Sequence, residues 1–121
     1  RKDLLSQEDI KSMAKDPIIF ALANPSPEIM PEAAFEAGTA IYASGRSDLP
    51  NQVNNALVFP GLFRGALDAK APQVTACMRL AAAKALSEAV ESPEKDKILP
   101  CLFNFEVPKL IARAVQEAAG S

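Results

Sequence analysis

The fold of this chain is decided by the stretch IIFALA at residues 18–23, an apolar run that no polar residue interrupts. Strands that are buried on both faces have this composition, and they are typical of parallel sheets. The run therefore predicts an interior β-strand. It ends at NPSPE, residues 24–28, which predicts a stiff polar turn.

The residues after this strand predict a second strand that is reached through a helix. Pro31 suits the first turn of a short helix, and Gly38 suits the end of that helix. Residues 39–44 then form a second apolar strand. Strand, helix and strand in this order are a βαβ unit, for which a right-handed crossover is expected. The sequence therefore predicts the α/β fold class.

The rest of the chain is predicted to be mostly helical. Within these helices, Pro60 and Gly61 predict a kink or break, while Cys77 and Leu110 are expected to face the core. Two strands rarely form a sheet that is stable alone, so this chain should need strands from a partner or from residues before Arg1. The predicted helices span residues 6–15, 53–69, 73–90 and 107–119.

Composition excludes several classes of protein. The 121 residues fit one domain at most, and a net charge of −2 with a pI of about 5.1 argues against a nucleic-acid binder. Histidine is absent, and Cys77 and Cys101 have no metal-ligand spacing, which favours a reducing, cytoplasmic setting. No apolar run approaches the length of a membrane helix. The missing initiator Met predicts a processed chain or a piece of a longer polypeptide.

Carboxamide side chains gather where the two predicted strands end. Asn24 follows the first strand, and the loop GRSDLPNQVNN, residues 45–55, follows the second. Ligands of parallel sheets sit at the carboxyl ends of strands, and an amide can bind a carboxylate without titrating. If the strands are neighbours, Asn24 should converge with Asn54 and Asn55, and Asn51 could cap the helix that carries this pair. The plainer alternative is that these residues only serve the loop.

The charged residues near these amides have simpler interpretations. Arg46 and Asp48 are predicted to form a local pair that stabilises the loop, rather than an acid–base device. Arg64 and Asp68, four residues apart, are predicted to form a solvated pair on a helix. No glycine-rich fingerprint opens a helix, so the sequence offers no phosphate-binding loop and no catalytic constellation.

Four longer segments of the sequence are distinctive: DPIIFALANP at 16–25, PEI at 27–29, ASGRSDLPNQVNN at 43–55 and FPGLFRGALD at 59–68. Through these segments the chain resembles the bacterial and archaeal type of malic enzyme. The resemblance implies oxidative decarboxylation of malate to pyruvate and CO2 with NAD or NADP and with Mg²⁺ or Mn²⁺. It implies that residues 1–121 are the C-terminal portion of the NAD(P)-binding domain, part of a Rossmann-like parallel sheet with flanking helices.

The same resemblance assigns roles to three amides. Asn24 matches a family residue that contacts malate and the nicotinamide region, and Asn54 and Asn55 match the pair that holds a malate carboxylate. Which of the two makes the closer contact stays open. The catalytic residues, the metal ligands and the glycine fingerprint are implied to lie before Arg1, so no catalytic or metal-binding residue is assigned here.

Two other functions remain as alternatives. The chain could be a non-catalytic α/β oligomerisation module, or a module that binds a small carboxylate without redox chemistry. In either case the chain alone is expected to be inactive. A homo-oligomer is expected, with no nucleic-acid and no membrane partner.

Overall fold

The computed structural model describes residues 1–120, which divide into two compact units. The first unit combines residues 1–53 with residues 94–98, and the second combines residues 54–93 with those from Leu99 onward. The elements, in chain order, are α1 (Gln7–Lys11), β1 (Ile18–Ala21), α2 (Pro31–Glu36), β2 (Ile41–Ser44), a 3₁₀ turn (Asn55–Leu57), α3 (Phe59–Asp68), α4 (Ala76–Glu88) and α5 (Glu106–Ala119).

The first unit contains the predicted βαβ arrangement. β1 and β2 pair in parallel, from Ile18 opposite Ile41 to Ala21 opposite Ser44. α2 connects them, with Pro31 in its first turn, and Gly38 follows with a φ of 103° that favours glycine. The prediction of the α/β fold class is therefore confirmed. The core of this unit consists of Ile10, Ile19, Ala21, Ile29, Ala34 and Tyr42.

The prediction that the first strand is buried on both faces is wrong for this chain. Ile19 and Ala21 are buried, whereas 58% of Ile18 and 49% of Phe20 is exposed. Successive side chains of a strand point to opposite faces, so only one face of β1 lies in the core. The strand also ends at Ala21, two residues before the end of the apolar run.

The second unit is a helical layer in which α5 packs against α3 and α4. Its core consists of Leu62, Ala66, Met78, Ala82, Val107, Ile111 and Val115. α3 and α5 approach so closely that a Cβ atom placed on Gly65 would lie 2.4 Å from the carbonyl oxygen of Ala112. At Gly61 the corresponding distance, to the carbonyl oxygen of Pro108, is 2.6 Å. Only glycine fits at these two positions of α3.

Several predicted details of the helices are wrong. Pro60 does not kink a helix, because it lies in the first turn of α3, where its missing N–H is not needed. The break falls before it, between the 3₁₀ turn and α3. Cys77 is exposed, since the buried side of α4 runs through Met78 and Ala82, and Leu110 is 47% exposed. α1 ends at Lys11 rather than near residue 15.

Candidate functional site

The carboxamide of Asn24 lies beside the residue that follows β2. Asn24 is exposed and comes three residues after β1 ends, while Gly45 directly follows β2. A Cβ atom placed on Gly45 would lie 3.2 Å from Oδ1 of Asn24, which is closer than ordinary van der Waals contact. Because residue 45 is a glycine, the Asn24 carboxamide can occupy this position at the carboxyl ends of the two strands.

The turn that carries Asn24 is closed by Glu28. Its carboxylate accepts a hydrogen bond of 3.1 Å from the backbone N–H of Ala23. This hydrogen bond favours the charged carboxylate and lowers the pKa of Glu28. The sequence places Glu28 at the end of the predicted polar turn at residues 24–28 and does not by itself indicate this contact. Its short separation from Ala23 across a proline-rich turn is the signal that could have revealed the contact.

Tyr42 holds the chain after this turn against β2. Its buried hydroxyl donates a hydrogen bond of 2.8 Å to the carbonyl oxygen of Ile29. Burial raises the pKa of Tyr42, so the hydroxyl stays neutral and remains a donor. The segment from Asn24 to Ile29 is thus fixed near both ends, by Glu28 and by Tyr42.

Asn51 is not the helix cap that its position predicted. It adopts a positive φ of 56°, which asparagine tolerates better than most residues, and is only 7% exposed. Its Nδ2 donates to the carbonyl oxygens of Tyr42 (3.0 Å) and Lys95 (2.8 Å), and its Oδ1 accepts from the N–H of Ile98 (2.9 Å). Asn51 therefore ties residues 94–98 to β2 within the first unit.

Asn54 and Asn55 differ in their surroundings. Oδ1 of Asn54 accepts a hydrogen bond of 2.9 Å from the N–H of Ala56, so Asn54 caps the 3₁₀ turn. Asn55 is exposed, and its side chain makes no hydrogen bond within residues 1–120. The structure thus gives Asn54 a local structural contact and leaves the amide of Asn55 accessible.

The three candidate amides lie in different parts of the molecule. Asn24 belongs to the first unit, and Asn54 and Asn55 open the second. The expected convergence of the three amides stays a prediction.

The two charge pairs predicted from the sequence are confirmed. Nε of Arg46 donates to Oδ1 of Asp48 over 2.8 Å, and a second hydrogen bond joins the same side chains through Nη2 and Oδ2. This pairing lowers the pKa of Asp48, which is unsuited to accept a proton at neutral pH. Arg64 and Asp68 are joined by a hydrogen bond of 2.8 Å at the surface of α3.

The described part of the chain holds no metal centre. No group of three or more His, Cys, Asp or Glu side chains within residues 1–120 could bind a metal ion. The side chains of these residues therefore do not fit a divalent cation. Within the same residues, no helix combines the length and the apolarity needed to cross a membrane.

The chain is similar in sequence to a known protein family. The family model described as "Malic enzyme, NAD binding domain" matches residues 1–120. The bifunctional malic/malolactic enzyme of Bacillus subtilis is 52% identical over 117 residues, which are 95% of this chain and 28% of that protein. The NADP-dependent malic enzyme of Escherichia coli is 49% identical over 96 residues, or 78% of this chain and 13% of that protein.

Solved structures agree with the sequence comparison. The crystal structure of the malic enzyme from Pyrococcus horikoshii matches with a TM-score of 0.94 and 50% identity, over 97% of this chain and 27% of that one. The NAD-dependent malic enzyme from Thermotoga maritima matches with a TM-score of 0.89 and 47% identity, over 96% of this chain and 30% of that one. The chain thus spans less than a third of the length of these relatives.

Proposed function

The chain belongs to the family of malic enzyme NAD-binding domains, and from this premise we propose that it is the C-terminal portion of such a domain. In the proposed full-length enzyme, malate is oxidised and decarboxylated to pyruvate and CO2 with NAD or NADP. Relatives named for each cofactor match at similar identity, so the proposal includes both. The proposed enzyme is cytoplasmic and homo-oligomeric and uses Mg²⁺ or Mn²⁺, with metal ligands outside this chain.

The accessible carboxamide of Asn24 is the observation that carries this proposal. It is exposed, and within residues 1–120 it has no hydrogen-bond partner. It lies next to Gly45, where a Cβ atom would lie 3.2 Å from its Oδ1, at the carboxyl ends of the two strands, which is where ligands of parallel sheets bind. The bound nicotinamide would accept a hydride from malate. Asn24 would donate to the malate carboxylate and contact the nicotinamide region.

Asn54 and Asn55 are proposed to hold a malate carboxylate. Their amides would place C2–H of malate against the nicotinamide and restrict its rotation, which is how positioning groups accelerate a reaction. Neutral donors suit this task. If this carboxylate is the one that leaves as CO2, a cation at the same place would stabilise the charged ground state more than the transition state and would slow the reaction.

The experiment that tests this role compares Asn24→Asp with Asn24→Ala in the full-length enzyme. Aspartate is nearly isosteric with asparagine but adds a negative charge that repels malate, by roughly 1 to 4 kcal/mol at about 4 Å. Alanine removes a donor and adds no repulsion. We expect Asn24→Asp to raise KM for malate and lower kcat/KM more than Asn24→Ala does.

Steady-state kinetics with malate, Mn²⁺ and each nicotinamide cofactor measure the effect, and thermal unfolding checks that both variants fold. Arg79→Gln, a change at an exposed arginine of α4, serves as a control that should leave the kinetics unchanged. Equal kinetics for the two Asn24 variants, or a better enzyme with aspartate, would show that Asn24 does not face the substrate.

An oligomerisation module is the second candidate function, and the exposed side chains of β1 favour it. Ile18 and Phe20 are 58% and 49% exposed on one face of a two-stranded sheet. Exposed apolar strands promote association with other chains. Light scattering of the 121-residue chain tests this alternative: self-association supports it, and a strict monomer at high concentration contradicts it.

A further inference from the structure

A cleft of about 440 Å³ lies between α3 and α5, within the second unit. Arg64 of α3 and Lys109 and Arg113 of α5 line it, together with Asp68 and Gln116. Three cations and one carboxylate give the lining a net formal charge of +2, in a chain whose net charge is −2. The cleft has the size of a small-molecule pocket.

The close packing of α3 and α5 forces these cations together. The helices approach at Gly61 and Gly65, where a Cβ atom would lie 2.6 Å or less from a carbonyl oxygen of α5. Arg64 lies between the two glycines along α3, and Lys109 and Arg113 are four residues apart on α5. Like charges brought to one cleft repel each other unless a counter-charge is present.

Carboxylates of the described residues neutralise these cations only in part. Nε of Arg64 donates to Asp68 over 2.8 Å, and Nζ of Lys109 donates to Glu106 over 2.7 Å. Arg113 forms no ion pair within residues 1–120. Because Arg64 binds Asp68 through Nε, its terminal nitrogens remain available to a second acceptor.

We propose that this cleft binds a small polyanion that carries at least two negative charges, such as a polyphosphate or a polycarboxylate. The planar guanidinium groups of Arg64 and Arg113 would each bind a phosphate or carboxylate group through two hydrogen bonds. Lys109 would add a third charge, and Gln116 would add a neutral donor. No residue of this cleft is among the amides assigned to malate, so the site is separate from the proposed function.

The test is a calorimetric titration of the full-length protein at low ionic strength, with inorganic tripolyphosphate in one arm and citrate in the other. We expect Arg113→Gln to weaken binding about tenfold, the loss typical of a hydrogen bond between charged groups. Arg79→Gln, at an exposed arginine of α4 outside the cleft, should leave the affinity unchanged. Tighter binding in one arm identifies the polyphosphate or the polycarboxylate class.

A second variant is expected to increase the affinity of the cleft for the polyanion. Among residues 1–120, Asp68 is the only carboxylate that lines the cleft. Asp68→Asn removes its negative charge and leaves Arg64 without an ionised partner, so we expect binding to tighten several-fold. Glu88→Gln removes the equivalent acidic partner of Lys84 on α4 and should change nothing. A gain of affinity is not a result that misfolding produces.

Three results would overturn the proposal. One is the absence of binding by both probes, and another is equal weakening by Arg113→Gln and Arg79→Gln. The third is binding that neither Arg113→Gln nor Asp68→Asn alters, which would place the probe elsewhere, for example at the proposed dinucleotide site. None of these measurements depends on turnover of malate, so the proposed function can fail or hold independently.

Discussion

Replacing Asn54 and Asn55 one at a time should separate two effects that the neighbouring amides would otherwise confuse. Oδ1 of Asn54 caps the 3₁₀ turn through the N–H of Ala56, whereas the side chain of Asn55 has no partner within residues 1–120. Asn55→Ala should therefore damage only the proposed contact with malate. Asn54→Ala should damage both that contact and the turn.

The magnitudes follow from these contacts. Loss of a capping hydrogen bond costs roughly 0.5 to 2 kcal/mol of stability, and a turn of only three residues should lie at the low end. Loss of a hydrogen bond to a charged carboxylate costs about 1.5 to 3 kcal/mol, or roughly ten- to two-hundredfold in kcat/KM. Asn54→Asp keeps the capping oxygen, so it should retain stability while its charge lowers kcat/KM for malate further.

The assay is steady-state kinetics of the full-length enzyme with malate, paired with thermal unfolding of each variant. We expect Asn55→Ala to unfold at the same temperature as the unaltered enzyme and to lose kcat/KM. Asn54→Ala should unfold at a slightly lower temperature, and Asn54→Asp should not. Unchanged kinetics in Asn55→Ala and Asn54→Ala, with intact folding, would refute a substrate role for this pair.

Three further predictions concern the fold and the chain itself. Gly65→Ala should destabilise the chain by about 1 to 3 kcal/mol, because a Cβ atom would lie 2.4 Å from the carbonyl oxygen of Ala112. The control is Gly120→Ala, where the nearest contact of a Cβ atom is 3.7 Å. Equal midpoints of urea unfolding for the two variants would contradict this prediction. The hydrogen bond to Glu28 lowers its pKa below the ordinary value of 4.5, so the charged carboxylate stabilises the fold at any pH above that value. This stabilisation is lost as the pH falls through the lowered pKa. An acid-unfolding curve of Glu28→Gln with the same slope as the unaltered chain would contradict it. The purified 121-residue chain should form no NADH or NADPH from malate, because residues 1–120 hold no metal-binding group, and measured turnover would show this reasoning to be wrong.

Local patterns of the sequence predicted the elements that depend on near neighbours. The apolar run at residues 18–23, Pro31 and Gly38 predicted the βαβ unit, which the structure contains. The ion pairs of Arg46 and of Arg64 followed from separations of two and four residues. In each case the partners lie close along the chain, so the sequence alone holds the information that decides the contact.

The failures concern contacts that no local pattern encodes. The burial of β1 depends on the residues that cover each face of the sheet. The apolar run at residues 18–23 does not indicate whether this chain supplies the covering residues for both faces. Two of the three partners of Asn51, the carbonyl group of Lys95 and the N–H of Ile98, lie 44 and 47 residues away along the chain. The prediction that Cys77 faces the core is wrong because α4 is rich in alanine and has no clear apolar face. Apolar residues at helical spacing can therefore be found on more than one side of this helix.

The hydrogen bonds of the asparagines show that the amides near the strand ends do not all have the same capacity to bind a ligand. A carboxamide offers two donors and one acceptor group, and a ligand can use only those that the protein has not already engaged. Asn51 is buried and uses both ends of its amide within the protein, so a ligand could bind it only by displacing its hydrogen bonds to Tyr42 or to residues 94–98. Asn54 has engaged its oxygen and keeps its donors, which is the half that a carboxylate needs. Asn24 and Asn55 have engaged neither end within residues 1–120, so a ligand would cost them no internal hydrogen bond.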